Sequence, residues 1–327
     1  MKTILVTGAA GYIGSVAVHV LLNKGYEVVG LDNLLYGGES LVSLLFHPHF
    51  HFIKADITDT KGLEAIFKQR QFFGVIHLAA IVGDPACAKN QELAKKVNES
   101  GSRNLLDFAL THSVERFIFA STCSNYGKMS DSAGYADETF PLAPVSLYAK
   151  LKVAFEKELL EASFKNHTFS PTALRFATVY GISPRMRFDL TINEFTKELT
   201  LGKELSVFGE SFWRPYIHVA DLARALTFVL EAQKEKVAHT VFNVGDTQEN
   251  YQKKEIVEEI KKIIPASRVQ YVPAHDDPRD YRVSFEKIKH ELGFCVTKRV
   301  PDGIKEIHDA LTNGIWLNPD EQKYRNV

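Results

Sequence analysis

The 327-residue chain has little cysteine, no surplus of charge and no long apolar run, and each shortage removes a class of protein. Its three cysteines, Cys87, Cys123 and Cys295, are few, odd in number and without metal-ligand spacing. That excludes a disulfide scaffold and fits reduced thiols. A formal net charge of -1 with no basic tract gives no electrostatic case for nucleic acid or an anionic membrane, so an anionic ligand must be gripped by a few local arginines. No apolar stretch is long enough to span a bilayer, and the glycines near residue 10 fit a strand and turn rather than a signal peptide. A cytoplasmic protein is expected. His47, His49 and His51 alternate without a carboxylate or thiolate at ligand spacing, so no metal is expected. Internal repeats and low-complexity stretches are absent as well.

What is present begins with Lys2-Thr3-Ile4-Leu5-Val6-Thr7-Gly8-Ala9-Ala10-Gly11-Tyr12-Ile13-Gly14, an apolar strand running into three spaced glycines and a helix. Such a turn builds a dinucleotide pyrophosphate site. Gly8 allows the tight turn, Gly11 lets backbone approach phosphate, and Gly14 lets the helix lie close to the sheet, with its N-terminus and positive dipole toward the anion. Asp32 closes the next apolar run at the distance of a carboxylate that accepts from an adenosine ribose hydroxyl, and no Arg or Lys directly follows it, so NAD is favoured over NADP.

Strand-like runs at Thr3 to Val6, Glu27 to Leu31, His51 to Ala55, Gly74 to Leu78, Arg116 to Ala120 and Thr172 to Phe176 alternate with helical patterns near Ile13 to Lys24, Gly62 to Lys68, Leu93 to His112 and Leu147 to Ser163. This alternation predicts an α/β fold, a Rossmann-type doubly wound parallel sheet with a smaller α/β C-terminal substrate lobe. Residues 1–181 are expected to form the NAD-binding domain and 182–327 mainly the substrate lobe, with the chain free to cross back. Helices are expected at Glu255 to Ile264 and Gly303 to Leu311, and the polar segment after Trp316 is expected to be a surface tail.

The catalytic signal is Tyr148-Ala149-Lys150-Leu151-Lys152, which puts Tyr148 and Lys152 on one helix face, with Ser121-Thr122 at a preceding strand end. A nearby ammonium lowers a phenol's pKa, so the phenolate removes a hydroxyl proton while hydride leaves the same carbon.

With these residues in place the chain resembles the extended short-chain dehydrogenase/reductase family, the NAD-dependent nucleotide-sugar epimerases and dehydratases. The resemblance rests on the glycine turn, Asp32-Asn33, Asp56-Ile57, His77-Leu78-Ala79-Ala80, Val97-Asn98, Ser121-Thr122, Tyr126-Gly127, Tyr148 to Lys152, Arg175 and Val179-Tyr180-Gly181. It implies that Gly8, Gly11, Tyr12, Ile13, Gly14, Asp32, Asn33, Asp56, Ile57, Leu78, Ala79, Ala80, Asn98 and Ser121 hold NAD together with Tyr148 and Lys152. It further implies that Tyr148 is the general base, that Lys152 also holds the nicotinamide ribose, and that Thr122 binds the sugar oxygen. Arg214 and Arg279 match the two clamps on the nucleotide-sugar diphosphate, a role suited to a guanidinium fork. His218 and Arg175 read as structural residues.

A finer resemblance, carried by Gly181 to Leu190 with Asn193-Glu194-Phe195, is to a bacterial branch that includes GDP-heptose 4-dehydrogenases of capsule synthesis. It makes Arg185, Arg187 and Asn193 candidates for phosphate or sugar contacts. One departure matters. Sugar 4,6-dehydratases carry an acidic residue after the site Thr, whereas Cys123 and Ser124 stand here and are expected to shape the substrate pocket. The expectation is therefore an epimerase acting by transient oxidation at sugar C4. The alternatives are a 4-dehydrogenase or 4-keto reductase, and a non-catalytic nucleotide-binding protein. The resemblance also implies a homodimer through the helices at Leu93 to His112 and Leu147 to Ser163, which would then expose apolar residues on a lone subunit.

Overall fold

The computed structural model describes residues 1–129, 134–162, 168–273 and 279–326. Strand β1 (Thr3–Thr7) alternates Ile4 and Val6 toward one layer of core with Leu5 toward the other, the two-sided burial of a central parallel strand. Around it the chain lays down α1 (Gly14–Asn23), β2 (Glu27–Asp32), β3 (Phe50–Lys54), α2 (Thr60–Gln69) and β4 (Gly74–His77). There follow α3 (Asp84–Lys89), α4 (Gln91–Lys95), α5 (Ser102–Thr111), β5 (Arg116–Thr122), α6 (Leu147–Ala162) and β6 (Ser170–Phe176).

The later elements are β7 (Thr178–Tyr180), α7 (Thr191–Thr200), β8 (Glu204–Phe208), β9 (Trp213–His218), α8 (Val219–Glu231), α9 (Lys234–Val237) and β10 (Thr240–Val244). Then come β11 (Asn250–Gln252), α10 (Lys253–Ile263), β12 (Arg268–Val272), α11 (Glu286–Leu292) and α12 (Val300–Thr312).

Seven strands in the order β10-β6-β5-β4-β1-β2-β3, all parallel, form the main sheet. The expected doubly wound sheet is present. Its order reverses between β1 and β4, and the crevice beyond those two carboxyl ends is where such folds bind ligands. α1 and α8 cover one face with Val18, Leu21, Leu222 and Leu226, and α2, α5 and α6 cover the other with Leu63, Leu105 and Phe155. Residues after 182 do not all lie outside this sheet, since β10 pairs with β6 and α8 packs on α1. The smaller lobe is built from β11-β9-β7 and β12-β8 over a core that includes Ile192, Leu199, Tyr216, Ile256 and Ile304.

The helix expected from Leu93 to His112 is broken. Lys96–Gly101 forms a π-type turn between α4 and α5, and such a bulge re-aims side chains. α6 matches its expected span up to Ala162; Ser163 lies outside the described residues. The outer faces of α5 and α6 are polar, with Arg103, Asp107, Lys150 and Lys157 exposed and Arg103 paired to Glu158 of the same subunit. None of the exposed large apolar side chains among the described residues lies on α5 or α6. The segment after Trp316 lies largely at the surface, as expected, but its end is docked: Tyr324 packs on the fully buried Phe188 at a ring-centre distance of 5.6 Å.

Candidate active site

The carboxyl ends of β1, β2, β4 and β5 open onto a cleft of about 390 Å³. Gly8 turns the chain there with φ +75°, a conformation that side chains rarely adopt, and a Cβ on it would lie 2.8 Å from the Ala79 amide. A Cβ on Gly14 would collide with the Gly8 carbonyl oxygen. The turn therefore accepts only glycine at these points, and it leaves Gly8, Gly11, Tyr12, Ile13 and Gly14 on the cleft wall at the N-terminus of α1.

Asp32 faces the same space. Its Oδ2 accepts from the Ala10 amide at 3.0 Å and its Oδ1 from the Leu34 amide at 2.8 Å, while burial pushes its carboxyl pKa up. Asn33 Nδ2 donates to Asp56 Oδ2 at 2.9 Å, and Asn33, Asp56 and Ile57 line the adjoining wall. A glycine turn without Cβ atoms, a fixed carboxylate and the helix N-terminus are the donor and acceptor set for a dinucleotide, so the residues fit NAD.

Leu78, Ala79 and Ala80 line the cleft beside the glycine turn. They are aimed by His77, whose Nδ1 meets Thr7 Oγ1 at 2.8 Å and whose Nε2 meets Ser102 Oγ at 2.9 Å. Burial holds this imidazole neutral, with its pKa down at about 3. Asn98 is displaced from its expected role. It is buried off the cleft, where its side chain accepts from the Ile81 amide and donates to the Ile81 carbonyl, both at 2.8 Å. Its work is to pin the loop that lines the cleft.

Tyr148, Lys152, Thr122, Ser121 and Ser124 all reach the cleft. Lys152 Nζ donates to the Ala120 carbonyl at 2.7 Å, tying α6 to β5, and lies 5.8 Å from the centre of the Tyr148 ring. The expected lowering of the phenol is not what the contacts give. Burial is the largest influence on both groups: it pushes the Tyr148 phenol up, with Arg187 pulling the other way, and pushes the Lys152 ammonium down to about 7. Ser121 Oγ donates to Glu156 Oε2 at 2.6 Å, and Thr122 Oγ1 accepts from the Ser124 amide at 3.1 Å, so the strand end is held rigid.

The substrate candidates divide. Arg214 stacks 5.2 Å from the Tyr281 ring centre and lines the cleft, as does Arg279, whose Nη1 is 2.9 Å from Asp84 Oδ2. Arg187 also lines it and forks onto Asp189 at 2.9 and 2.7 Å. Arg185 lines it as well, beside Tyr36. Two candidates move out. Cys123 points away from the cleft: it opens the short 3-10 turn Cys123–Tyr126 that follows β5, is buried, and its Sγ donates to the Arg175 carbonyl at 3.2 Å. Asn193 is fully buried, accepting from the Gly181 amide at 2.9 Å and donating to Tyr12 Oη at 3.2 Å, so it welds the two lobes rather than meeting phosphate.

His218 is structural, as expected: its Nδ1 accepts from the Ala220 amide at 3.2 Å and its Nε2 meets Glu306 at 3.0 Å. Asp84, Tyr36, Tyr281 and Asn326 are cleft residues that were not singled out. Asp84 has a signal, an acid at the start of α3 just past a central strand at the sheet's reversal. Asn326 has none.

Fold and cleft together define a dinucleotide-dependent α/β enzyme with a tyrosine and a lysine one helical turn apart at the cofactor. The chain belongs to the NAD dependent epimerase/dehydratase family, within the extended short-chain dehydrogenases/reductases: the family's sequence profile matches residues 4–245. Its cofactor is NAD. It is 30% identical over 315 residues to UDP-glucose 4-epimerase of Bacillus subtilis, covering 89% of this chain and 91% of that protein. It is 33% identical over 321 residues to dTDP-glucose 4,6-dehydratase of Actinoplanes sp., covering 93% and 95%. The structure of Thermus thermophilus UDP-glucose 4-epimerase in complex with NAD superimposes with a TM-score of 0.82 at 28% identity, over 95% of this chain and 99% of that one. No helix among the described residues is long and apolar enough to cross a membrane.

Proposed function

We propose that this enzyme is a nucleotide-sugar 4-epimerase, with residues 1–181 mainly holding NAD and the later lobe the nucleotide-diphosphate sugar. One observation carries the reading: Tyr148, Lys152 and Thr122 share the cleft, while the position after Thr122, where a dehydratase places its acid, holds a thiol turned into the core. Elimination of water needs an acid and a base at the sugar; removal of a carbinol hydrogen needs one base and a hydride acceptor. NAD, when bound, supplies that acceptor.

Thr122 holds the C4 oxygen, and Tyr148 takes the hydroxyl proton as the C4 hydrogen leaves as hydride. Burial disfavours the phenolate that does so, and Arg187 on the cleft wall offsets part of that cost. Arg214 and Arg279 grip the diphosphate, leaving the keto-sugar to turn and present its other face. Hydride and proton then return, so the net reaction is inversion at C4 with no change in cofactor oxidation state.

The test is to incubate the purified protein with UDP-, dTDP-, GDP- and CDP-hexoses and follow the sugars by NMR and the bound cofactor by absorbance at 340 nm. A C4 epimer with constant NADH is the expected result. A 4-keto-sugar formed in step with NADH would make the enzyme a 4-dehydrogenase, a 4-keto-6-deoxy product a dehydratase, and no turnover with any of them a binding protein.

A further inference from the structure

Arg185 is 7% exposed, yet none of its charge is matched by a carboxylate within 4 Å among the described residues. Its Nη2 donates to the Arg325 carbonyl at 3.1 Å, its guanidinium lies 4.7 Å from the centre of the Tyr36 ring, and its Nε is buried with no partner. A guanidinium out of water without an anion is costly, and a site that tolerates one is built for an anion to arrive. Arg187, its neighbour, is already forked onto Asp189 and cannot stand in.

Position decides which anion. The loop bearing Arg185 sits on the glycine turn, with Ser183 Oγ donating to the Tyr12 carbonyl at 2.6 Å and meeting Ser15 Oγ at 3.3 Å. Tyr12 Oη in turn donates to the Gly181 carbonyl at 2.6 Å. Asp32 acts electrostatically on Arg185, and Tyr36 follows Asp32 by one short loop. These are cofactor-side groups. The arginines placed toward the sugar nucleotide, Arg214 and Arg279, keep company instead with Tyr281 and Asp84.

The segment around residues 322–326 closes this corner. Phe188 donates its amide to the Tyr324 carbonyl at 2.9 Å, the Asn326 amide donates to Asp189 Oδ2 at 3.1 Å, and Tyr36 Oη donates to the Asn326 carbonyl at 3.4 Å. Asn326 lines the cleft, and its side-chain Oδ1 is a second buried atom with no partner. Lys197 and Lys203 anchor the stretch through Asp320, at 2.6 and 2.7 Å.

We propose that Arg185, backed by the 322–326 segment, binds the pyrophosphate of NAD, and that Tyr36 and Asn326 complete a clasp over the cofactor. Arg185 is thereby reassigned from the sugar nucleotide to the cofactor. The clasp suits an enzyme that keeps its NAD through oxidation and return. The inference rests on NAD alone and not on the reaction proposed above.

The test measures binding and does not use turnover. Wild-type protein, Arg185→Gln, Asn326→Ala and a chain ended after Glu321 are assayed for NAD(H) co-purified per chain. Each is then freed of cofactor and titrated with NADH by fluorescence and with UDP, dTDP and GDP by calorimetry, folding being checked by circular dichroism. Arg185→Gln is expected to weaken NADH by about 10- to 100-fold, the worth of a charge-assisted hydrogen bond, and to leave the nucleoside diphosphates within about twofold. Asn326→Ala and the shortened chain are expected to release NADH faster. NADH affinity within about twofold of wild type in Arg185→Gln overturns the proposal, and so does selective loss of nucleoside diphosphate binding, which would return Arg185 to the substrate. Should the shortened chain not fold, the two point variants decide. A protein that binds NADH as expected but turns over no sugar would sink the epimerase reading and leave the clasp standing.

Discussion

Arg175 Nη2 donates to Glu156 Oε1 at 2.5 Å, and both side chains are almost wholly enclosed. The pair joins β6 to α6, the helix that carries Tyr148 and Lys152. Glu156 also accepts from Ser121, and Arg175 also donates to Tyr126 Oη at 3.0 Å, which donates onward to Asn243. The strand end bearing Ser121 and Thr122 and the helix bearing Tyr148 and Lys152 thus share one buried polar network. Replacing one member strands the other's charge. Arg175→Leu is expected to cost about 3–5 kcal/mol of folding stability, and the double variant Arg175→Leu with Glu156→Leu less than the sum of the singles. Urea unfolding of the four proteins checks this; additive losses would show that the pair is not coupled.

Tyr148 is the proton acceptor in the proposed reaction, and its ring packs against the core. Tyr148→Phe keeps the ring and removes the hydroxyl. Its kcat is expected to fall by about 10²- to 10⁴-fold with little change in KM or in co-purified NAD. A KM that rises while kcat holds would show that the hydroxyl binds sugar and moves no proton.

Lys152 gives the fold a pH dependence whose sign follows from burial. Its ammonium sits at about 7 in the fold against an ordinary 10.5. Between those values the unfolded chain holds a proton that the folded chain does not, so stability rises with pH across that window, and below it the full cost of burying the charge applies. In cofactor-free protein, wild type is expected to gain stability relative to Lys152→Met from pH 7 to pH 9.5. A difference that stays flat in denaturant titrations over that range would mean that Lys152 keeps its charge in the fold.

The first half of the fold was legible because parallel strands buried on both faces read as unbroken apolar runs. Thr3–Thr7, Glu27–Asp32 and Arg116–Thr122 each lie within two residues of where those runs put them. The glycine turn was legible for a steric reason, since no other residue fits at Gly8 or Gly14. β10 was missed as part of the main sheet because its pairing with β6 spans some seventy residues, and local pattern carries no such information. Asn98, Cys123 and Asn193 were put in the cleft by motif position, and in each case the side chain turns inward to satisfy backbone. Motif position gives the neighbourhood of a residue, but the 3-10 turn Cys123–Tyr126 and the π-type turn at Lys96–Gly101 set the direction of Cys123 and Asn98. Nothing local in Arg325-Asn326 signals a cleft, because that placement rests on Phe188, Asp189 and Tyr36.

Gly14 tests the steric account of the glycine turn. An added Cβ would strike the Gly8 carbonyl oxygen, which is backbone and cannot rotate aside. Gly14→Ala is expected to lose about 1–3 kcal/mol of stability and most of its co-purified NAD. Gly25→Ala is a control with open space around it but a φ of +82°, so it should lose stability by backbone strain and keep its NAD. Equal NAD content in the two variants would remove the case for close helix–sheet packing as the reason for glycine at position 14.

Asp84 and Arg279 bear on how the sugar nucleotide enters. Their ion pair is partly exposed, 27% and 38% at the side chains, so its own worth is small, about 0.2–1 kcal/mol. Its consequence for binding is larger than its stability, because Asp84 competes with an incoming diphosphate for the same guanidinium and adds a negative charge to the cleft. Arg279→Ala is expected to weaken UDP or another nucleoside diphosphate by about tenfold or more, since it removes a charge-assisted fork. Asp84→Asn is expected to do the opposite and tighten the same ligand by about two- to fivefold, with the gain shrinking at high salt as surface electrostatics are screened. Calorimetric titration of both variants at two salt concentrations checks the pair of signs. If Asp84→Asn weakened binding instead, Asp84 would be holding Arg279 in its binding position rather than competing for it, and the carboxylate would be a positioning residue of the substrate site.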